Sequence, residues 1–296
     1  MSKITKNAII LMMITIISKI LGFGRELILA SSYGTSMYSD AYLIALNIPT
    51  IIFSVIGGAL ISTYIPLYCE VNNTLGEEEA VKFSNNIFNI ITIASIVLAI
   101  IGILFTKPIV KLFAIGFDGQ TLDVTVEFAR LLIVGIIFIS ISNLFTPYLQ
   151  IKDNFIVPGM ISIPKNIITI ISIIFSLKYG IEVMIWGTLI GMLSEVIFQY
   201  PFMYKTGYRY KLIINLNDKY LKKMIILLGP VIIGIAVNQI NIIVDRTIAS
   251  TLVEGSISAL NYANKLNSFI MAIIITSISA VIYPKLSNLS FNNNEE

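Results

Sequence analysis

The sequence predicts an all-α, polytopic membrane protein with about eight transmembrane helices. Hydrophobic residues make up 56% of the chain, charged residues only 12%, and the mean hydropathy is +0.87, which is far from a soluble domain. The apolar residues also fall into long stretches, and about 20 such residues suffice for a helix to cross roughly 30 Å of hydrocarbon. Because a spanning segment must satisfy its own backbone groups, these isoleucine-rich stretches are predicted to be helices rather than strands.

The first six predicted spans form an N-lobe, residues 1–203, and the last two begin a C-lobe, residues 224–296. A basic connection, residues 204–223, joins them. The first span has an alternative interpretation as a signal peptide behind Lys3 and Lys6, but charged residues further along it interrupt any cleavable continuation. The eight spans are predicted at residues 7–30, 40–68, 83–105, 124–149, 156–177, 182–203, 221–250 and 256–283.

The distribution of basic residues predicts that both termini of this chain are cytoplasmic. With that orientation the inner segments hold eleven Lys and Arg residues and the outer loops hold three, in accord with the positive-inside rule. The connection 204–223 combines six of these cations with Leu212, Ile213, Ile214 and Leu216. This combination predicts that the connection lies against the anionic inner leaflet, with a role in topology alone as the alternative.

The chain also contains a weak internal repeat at a separation of 221 residues. In each copy an arginine lies late in an outward-going span and a glycine marks the short outer turn. Six spans separate the copies, so the repeats are parallel, as in two-lobed transporters. The second lobe is therefore expected to be incomplete and to end in a polar cytoplasmic tail. The matched pairs are Arg25 with Arg246, Gly34 with Gly255, and Asp40 with Asn261.

Six basic side chains interrupt the predicted spans and are the main functional candidates. A cation at the centre of a spanning helix costs roughly 2.5 to 3.5 kcal/mol, so these side chains are expected to face protein or water. Such a group of cations indicates a cavity for an anion. For Arg25 and Asp40 the alternative is a fixed ion pair between helices, and structural pairing is favoured for Arg130, Lys165 and Glu195. The six cations are Lys19, Arg25, Arg130, Lys165, Arg246 and Lys265.

Spans 7 and 8 carry an unusual density of amide side chains for hydrocarbon. Several share a helical face, which predicts that they line a wet cavity, with simple hydrogen bonding between helices as the alternative. In the first span Ser18 shares a polar stripe with Arg25. Asp245 is a candidate ligand for a cation. The secondary cavity candidates are Ser18, Asn238, Asn241, Asn261 and Asn264.

The composition argues against chemistry by the chain itself. It has no histidine, so the commonest general base and metal ligand is missing, and its single cysteine, Cys69, cannot form an internal disulfide. No nucleophile with a base and no metal cluster is evident in the sequence. We therefore expect no enzyme activity, no metal and no cofactor.

Several stretches of sequence carry motifs of a known family. They are Ser18-Lys-Ile-Leu-Gly-Phe-Gly-Arg-Glu26, Ser39-Asp-Ala-Tyr-Leu-Ile-Ala-Leu-Asn-Ile-Pro49, Gly229-Pro230, and Val244-Asp-Arg-Thr-Ile-Ala-Ser250 followed by Glu254-Gly-Ser-Ile-Ser-Ala-Leu-Asn-Tyr-Ala-Asn-Lys265. Together they resemble the lipid II flippases, the MurJ or MviN family of the multidrug and oligosaccharidyl-lipid exporter superfamily. The resemblance covers essentially the whole chain. It implies two six-helix lobes around a cationic cavity and two further helices that form a lipid-tail groove, so this chain would be truncated at its C-terminus.

The resemblance also implies roles for particular residues. Arg25 and Asp40 match the family's essential first-hairpin arginine and aspartate, while Lys19 and Lys265 stand where many members have arginine, so bidentate phosphate recognition is lost there. After Pro49 many members have paired arginines and a glutamate, which this chain lacks. The cavity is therefore expected to be less basic than the family pattern. The expected substrate-binding residues are Lys19, Arg25, Asp40, Arg246 and Lys265.

By this resemblance the chain would act in the bacterial plasma membrane, in cell wall biogenesis. Family members move lipid II, the undecaprenyl-diphosphate-linked precursor of peptidoglycan, from the inner to the outer leaflet. Alternating access driven by the membrane potential, Na⁺ or H⁺ is the expected mechanism. Lipid II or a related lipid-linked saccharide and the bilayer are the expected partners, and nucleic acid is not. The alternatives are export of another polyprenyl-linked oligosaccharide, cation-coupled drug export, and a truncated membrane protein that does not transport.

Overall fold

The computed structural model describes residues 3–272, and for residues 3–9 and 56 only the course of the backbone. Within this range the chain forms helices and turns but no strand, which confirms the predicted all-α class. The predicted polar tail and the end of the eighth span lie outside the described residues. The helices are α1 (Lys3–Tyr33), α2 (Met37–Leu75), α3 (Glu77–Leu104), α4 (Thr106–Phe113), α5 (Gly119–Leu132), α6 (Gly135–Ile151), α7 (Ile156–Met160), α8 (Ser162–Tyr179), α9 (Glu182–Lys205) and α10 (Lys219–Ala249), and residues 256–272 form the described part of α11.

The described helices are those of a multi-pass membrane protein. Five segments of this part of the chain are long and apolar enough to cross a bilayer, namely α2, α3, α7 with α8, α9 and α10. The pair α5 and α6 makes a sixth if it is one bent span. The first and eighth predicted spans fall partly on residues that are not fully described, so the count of eight stays a prediction.

The fourth predicted span, residues 124–149, is broken into α5 and α6. The two helices meet at 42°, and the amides of Val134, Ile136 and Ile137 bond to the third preceding carbonyl instead of the fourth. This tighter 3₁₀ pattern turns the helix axis without a proline. A proline need not break a helix of this protein, since α2 continues through Pro49 and Pro66. The sequence did not predict the short helix α4, which precedes α5.

Helix α2 lies at the centre of the bundle and contacts α3, α5, α6 and α10. A helix that is apolar on all sides is expected in such a position. Two of its buried tyrosines, Tyr42 and Tyr64, satisfy their hydroxyl groups across helix interfaces. The hydroxyl groups of Tyr42 and Thr188 lie 3.0 Å apart, and those of Tyr64 and Ser84 lie 2.6 Å apart.

Helices α8 and α9 pack closely because small residues face each other. A Cβ atom placed on Gly187 of α9 would lie 2.0 Å from Cβ of Ser172 in α8, and one on Gly191 would lie 3.2 Å from the carbonyl oxygen of Lys165. Helix α1 packs against the other side of α8. This arrangement brings the polar faces of α1 and α8 together, and it positions the site described below.

Replacement of Gly187 tests this packing. We expect Gly187→Ala to destabilise the protein by about 1 to 3 kcal/mol, because the added methyl group must push the two helices apart. The measurement is the thermal unfolding midpoint in detergent. Gly229→Ala is the matched control, since a Cβ there meets nothing within 4 Å. A midpoint for Gly187→Ala equal to that of the control would contradict the packing described here.

Candidate functional site

A cavity of about 320 Å³ lies between α1, α8 and α11. Four cations from these three helices line it: Lys19 and Arg25 from α1, Lys165 from α8, and Lys265 from α11. Four of the six cations that interrupt the predicted spans therefore surround one space. The cavity is polar enough to hold an anion that carries more than one charge.

The polar face of α1 is shaped by small and aromatic residues. Gly22 lies between Lys19 and Arg25, and a Cβ atom there would lie 3.6 Å from the amide nitrogen of Asn166 in α8. Phe23 stacks on Phe269 of α11, with ring centroids 4.3 Å apart. Glycine thus admits a polar neighbour while the stacked rings tie α1 to α11.

A chain of buried polar contacts runs behind the cavity. Arg25 Nη2 donates to Glu26 Oε1 at 2.6 Å, and Arg25 Nη1 donates to Asn166 at 3.3 Å. The second carboxylate oxygen of Glu26 accepts a hydrogen bond of 3.1 Å from Asn261. Asn261 in turn accepts one of 3.2 Å from Arg246 Nη2. Arg25 and Glu26 together therefore connect α1 with α8 and α11, and Asn261 extends the chain of contacts to α10.

The two repeat-related arginines occupy different positions in this chain of contacts. Arg25 lines the cavity, whereas Arg246 lies beyond Asn261 and is absent from the cavity wall. Among the described residues, nothing accepts a hydrogen bond from the buried Nε and Nη1 groups of Arg246. Arg246 is thus a half-buried cation that depends on Asn261 and on the nearby charge of Glu26.

The remaining charged candidates fall into two groups. Lys165 both lines the cavity and forms an ion pair with Glu195 of α9, with Nζ 3.1 Å from Oε1. The pairing that the sequence favours for these two residues is therefore present. Arg130 is exposed in the last turn of α5 and is not part of the cavity wall.

Asp40 lies away from the cavity, in a contact between two helical hairpins. Its carboxylate accepts hydrogen bonds from the backbone amides of Gly255 at 2.8 Å and Ser258 at 2.7 Å, and from the Ser258 hydroxyl group. The acid thus caps the N-terminus of α11, where free amides and the helix dipole favour negative charge. Arg25 pairs with Glu26 instead, so the ion pair between Arg25 and Asp40 suggested by the sequence is not formed.

The contact is reciprocal, and we call it the hairpin junction: residues 34–40 against residues 250–262. Glu254 accepts a hydrogen bond of 2.8 Å from the backbone amide of Met37 at the start of α2. Tyr262 donates to the carbonyl group of Gly34 at 3.0 Å. Gly255 has φ +89°, and a Cβ there would lie 2.5 Å from the carbonyl oxygen of Thr35, so backbone conformation and space both require glycine.

Of the secondary cavity candidates, some contribute to the cavity or to the chain of contacts behind it and the others do not. Ser18 lines the cavity and donates to the carbonyl group of Gly159, whereas Asn261 belongs to the buried chain of contacts. The other three amides, Asn238, Asn241 and Asn264, are exposed and do not contribute to the cavity wall. Asp245 is also exposed, and no metal-ligating cluster of acids and cysteine occurs in the described part of the chain.

Sequence reasoning missed three functional residues of this region. Glu26 is one of the charges that interrupt the first span, and an acid next to Arg25 is a signal that the arginine has its own counterion. Ser258 carried no signal, because its role depends on the distant Asp40. Asn166 was likewise silent, since only the packing of α1 on α8 brings it to Arg25.

Solved structures with a similar fold define the class of this protein. A solved lipid II flippase MurJ in an inward closed conformation is similar, with a TM-score of 0.80 and 29% identity, over 95% of this chain and 59% of that one. An outward-facing multidrug resistance MATE family transporter of the MOP superfamily is similar in fold, with a TM-score of 0.68 and 15% identity over 93% and 63% of the two chains. The molecule is a multi-pass helical membrane protein with the fold of these transporters.

The family follows from the sequence comparisons. A family model described as lipid II flippase MurJ matches residues 29–296, and the chain therefore belongs to this family, as its motifs predict. The probable lipid II flippase MurJ of Buchnera aphidicola subsp. Acyrthosiphon pisum is 31% identical over 288 residues, 95% of this chain and 56% of the relative. The lipid II flippase MurJ of Burkholderia cenocepacia is 26% identical over 283 residues, 92% and 55% of the two chains. The chain thus spans a little over half the length of these relatives.

Neutralising Glu26 tests the buried chain of contacts. We expect Glu26→Gln to lower the free energy of unfolding by about 3 kcal/mol, because the mostly buried guanidinium group of Arg25 loses its carboxylate partner. The half-buried Arg246, which reaches Glu26 through Asn261, loses the same negative charge. Denaturant titration in detergent measures the change. Glu127→Gln on the exposed face of α5 is the control and should change stability little. Equal stability of the two variants would show that Glu26 is not the counterion of Arg25.

Proposed function

We propose that this chain contributes to a lipid II flippase, and that the cavity between α1, α8 and α11 holds the diphosphate of a lipid-linked saccharide. The observation that carries the proposal is the convergence of Lys19, Arg25, Lys165 and Lys265 on one space. A diphosphate carries about two negative charges and several acceptor oxygens, so several convergent cations suit it. The names of the relatives support this substrate.

We further propose an inward-facing arrangement in the plasma membrane, with both termini of this chain in the cytoplasm. The positive-inside pattern supports this orientation. It puts the hairpin junction at the outer side. Lys19 lies fifteen residues before Gly34, about 22 Å along α1 from the junction at 1.5 Å per residue. The cavity would then be closed toward the outside and accessible from the inside.

Alternating access would follow from the way the junction is built. The first lobe, residues 1–203, contributes Asp40 and Gly34, and the second lobe contributes Glu254 and Tyr262. Opening the junction would release the headgroup outward. Both the junction and the cavity involve α1 and α11, so binding in the cavity can bias the junction through these helices. Na⁺, H⁺ or the membrane potential would supply the driving force.

The substrate assignment is tested with the protein reconstituted in vesicles. We expect fluorescent lipid II to cross to the opposite leaflet faster than in protein-free vesicles. The same assay with a polyprenyl-linked oligosaccharide that lacks the peptide, and with a cationic drug under a cation gradient, separates the alternatives. Faster movement of either of these than of lipid II would reject lipid II as the substrate.

The cavity cations are tested by binding. We expect Lys19→Gln and Lys265→Gln each to weaken lipid II binding about tenfold to a hundredfold, since a hydrogen bond to a charged group contributes about 1.5 to 3 kcal/mol. Binding to the purified protein in detergent is the measurement. Lys107→Gln in α4 removes the same charge outside the cavity and is the control. Equal affinity of all three variants would exclude the cavity as the diphosphate site.

The hairpin junction is tested by cysteine accessibility. In a Cys69→Ser background, a Ser39→Cys substitution places a thiol at a fully buried position next to Asp40. We expect Asp40→Asn to speed labelling of this thiol by a membrane-impermeant maleimide about tenfold or more, because loss of the charged cap favours the open junction. Asp123→Asn, an exposed acid in α5, should leave the rate unchanged. Unaltered labelling in Asp40→Asn would show that Asp40 does not hold the junction closed.

A further inference from the structure

The connection between α9 and α10 has a structure that the proposed function does not use. We call residues 206–218 the strap. It forms turns and irregular chain without a helix, although it lies between two long helices. Such a segment has few internal hydrogen bonds, so its backbone groups need other partners wherever water is scarce.

Three asparagines of α3 supply those partners. Asn85, Asn86 and Asn89 each use the amide nitrogen and the amide oxygen, so that donors and acceptors of the strap are both satisfied. The backbone contacts are Asn85 Nδ2 to Arg209 O (3.1 Å), Lys211 N to Asn85 Oδ1 (3.0 Å), Asn86 Nδ2 to Asn215 O (2.9 Å), Asn215 N to Asn86 Oδ1 (2.7 Å), and Asn89 Nδ2 to Lys211 O and Ile213 O (3.0 Å each). The strap is therefore fixed to α3 by side chains that replace a backbone ladder.

The positions of the asparagines show how far the strap rises along α3. This helix begins with Glu77 and two further glutamates, and it becomes apolar from Ile87 onward. Asn89 is twelve residues after Glu77, which is about 18 Å along the helix. The middle of the strap, bound to Asn89, thus reaches the level at which α3 becomes apolar. A helix whose surface becomes apolar at this level is expected to pass there from the headgroup region into hydrocarbon.

One side of the strap is largely apolar and exposed, although the hydroxyl group of Tyr210 donates to Asn89 Oδ1 at 2.8 Å. Tyr210, Leu212, Ile214 and Leu216 occupy alternate positions, which share a face in extended chain. Their exposed fractions are 59%, 74%, 51% and 67%. Leu212 lies beside the Lys211 and Ile213 carbonyls that bind Asn89, at the part of the strap that reaches furthest along α3.

Within residues 204–223 the charges are almost all positive, while Glu77 and Glu78 of α3 line the same pocket as Arg209 and Lys211. Residues 204–223 contain six cations and one acid, Asp218, whose carboxylate is occupied in capping α10 through the amides of Tyr220 and Leu221. Arg209 is held in place, with its guanidinium group 3.8 Å from the ring of Tyr204 and Nη1 bonded to two carbonyl groups. Lys211 is exposed beside it. An apolar face flanked by the bonded Arg209 and the exposed Lys211 matches an anionic lipid surface.

We propose that the strap binds anionic phospholipids of the leaflet that it faces, with Leu212 at the acyl-chain boundary and with Arg209 and Lys211 on the headgroup phosphates. The interaction would hold the first lobe at a fixed depth, since the strap is bound to α3. The proposal does not depend on which substrate the cavity carries. The proposal differs from an anchor that enters the leaflet without a preference for anionic lipids, and from a strap that does not enter the leaflet.

The experiment uses tryptophan quenching by brominated lipids. Trp186→Phe together with Leu212→Trp leaves a single tryptophan, on the strap. The protein is reconstituted in phosphatidylcholine vesicles that contain the same minor fraction of either brominated phosphatidylglycerol or brominated phosphatidylcholine. We expect both to quench, and phosphatidylglycerol to quench at least twofold more. The excess should disappear at 1 M salt, where the screening length falls from about 10 Å to about 3 Å.

Charge variants provide the matched comparison. Arg209→Gln with Lys211→Gln should remove the excess quenching, whereas Lys107→Gln with Lys178→Gln, which removes two cations from the opposite end of the helices, should retain it. Lys211→Gln alone should reduce the excess in part, and it leaves the bonds of Arg209 intact. Equal quenching by the two lipids at low salt would overturn the headgroup preference. Absence of quenching by either lipid would overturn the placement of Leu212 in the leaflet.

Discussion

The site depends on the carboxylate of Glu26, which compensates the charge of arginines that lie within membrane spans. A cation within a membrane span is tolerated only if it meets an opposite charge, a polar partner or water. Glu26 bonds directly to Arg25 and reaches Arg246 through Asn261, so a single acid serves two cations from different hairpins. With Arg25 compensated behind the cavity, the cavity-facing charge of Lys19 and Lys265 is left available for an anion from outside the protein.

The hairpin junction and the cavity are built on the same two helices, which links their geometry. Helix α1 carries Arg25 and ends at the junction, and α11 begins at the junction and carries Asn261 and Lys265. Movement of α11 away from α1 would therefore strain the bond between Glu26 and Asn261 and the stack of Phe23 on Phe269. A change in the charge of the cavity and a change at the junction therefore both affect the packing of α1 against α11.

Much of this arrangement was predictable from residue chemistry. The insertion penalty alone indicated that the span cations face protein or a cavity, and Lys19, Arg25 and Lys265 do line one. Lys165 was assigned to pairing with a neighbour, but it does this while also lining the cavity. The sequence could not place Asp40, because its partners are 215 and 218 residues away and are backbone amides, which have no sequence signature. The bend at residues 133–134 could not be predicted from the sequence either, since no proline marks it.

The hairpin junction should tolerate many amino-acid substitutions in α11, because its donors to Asp40 are mainly backbone amides. Every residue except proline has a backbone amide, so α11 presents its donors to Asp40 almost whatever its side chains are. Replacing Ser258 would remove one hydroxyl group and leave the amide in place. The carboxylates of Asp40 and Glu254 cannot be supplied by the backbone, and a side chain at Gly255 would collide with Thr35. Neutral variation can therefore accumulate along the donor helix, while selection on this contact falls on very few codons.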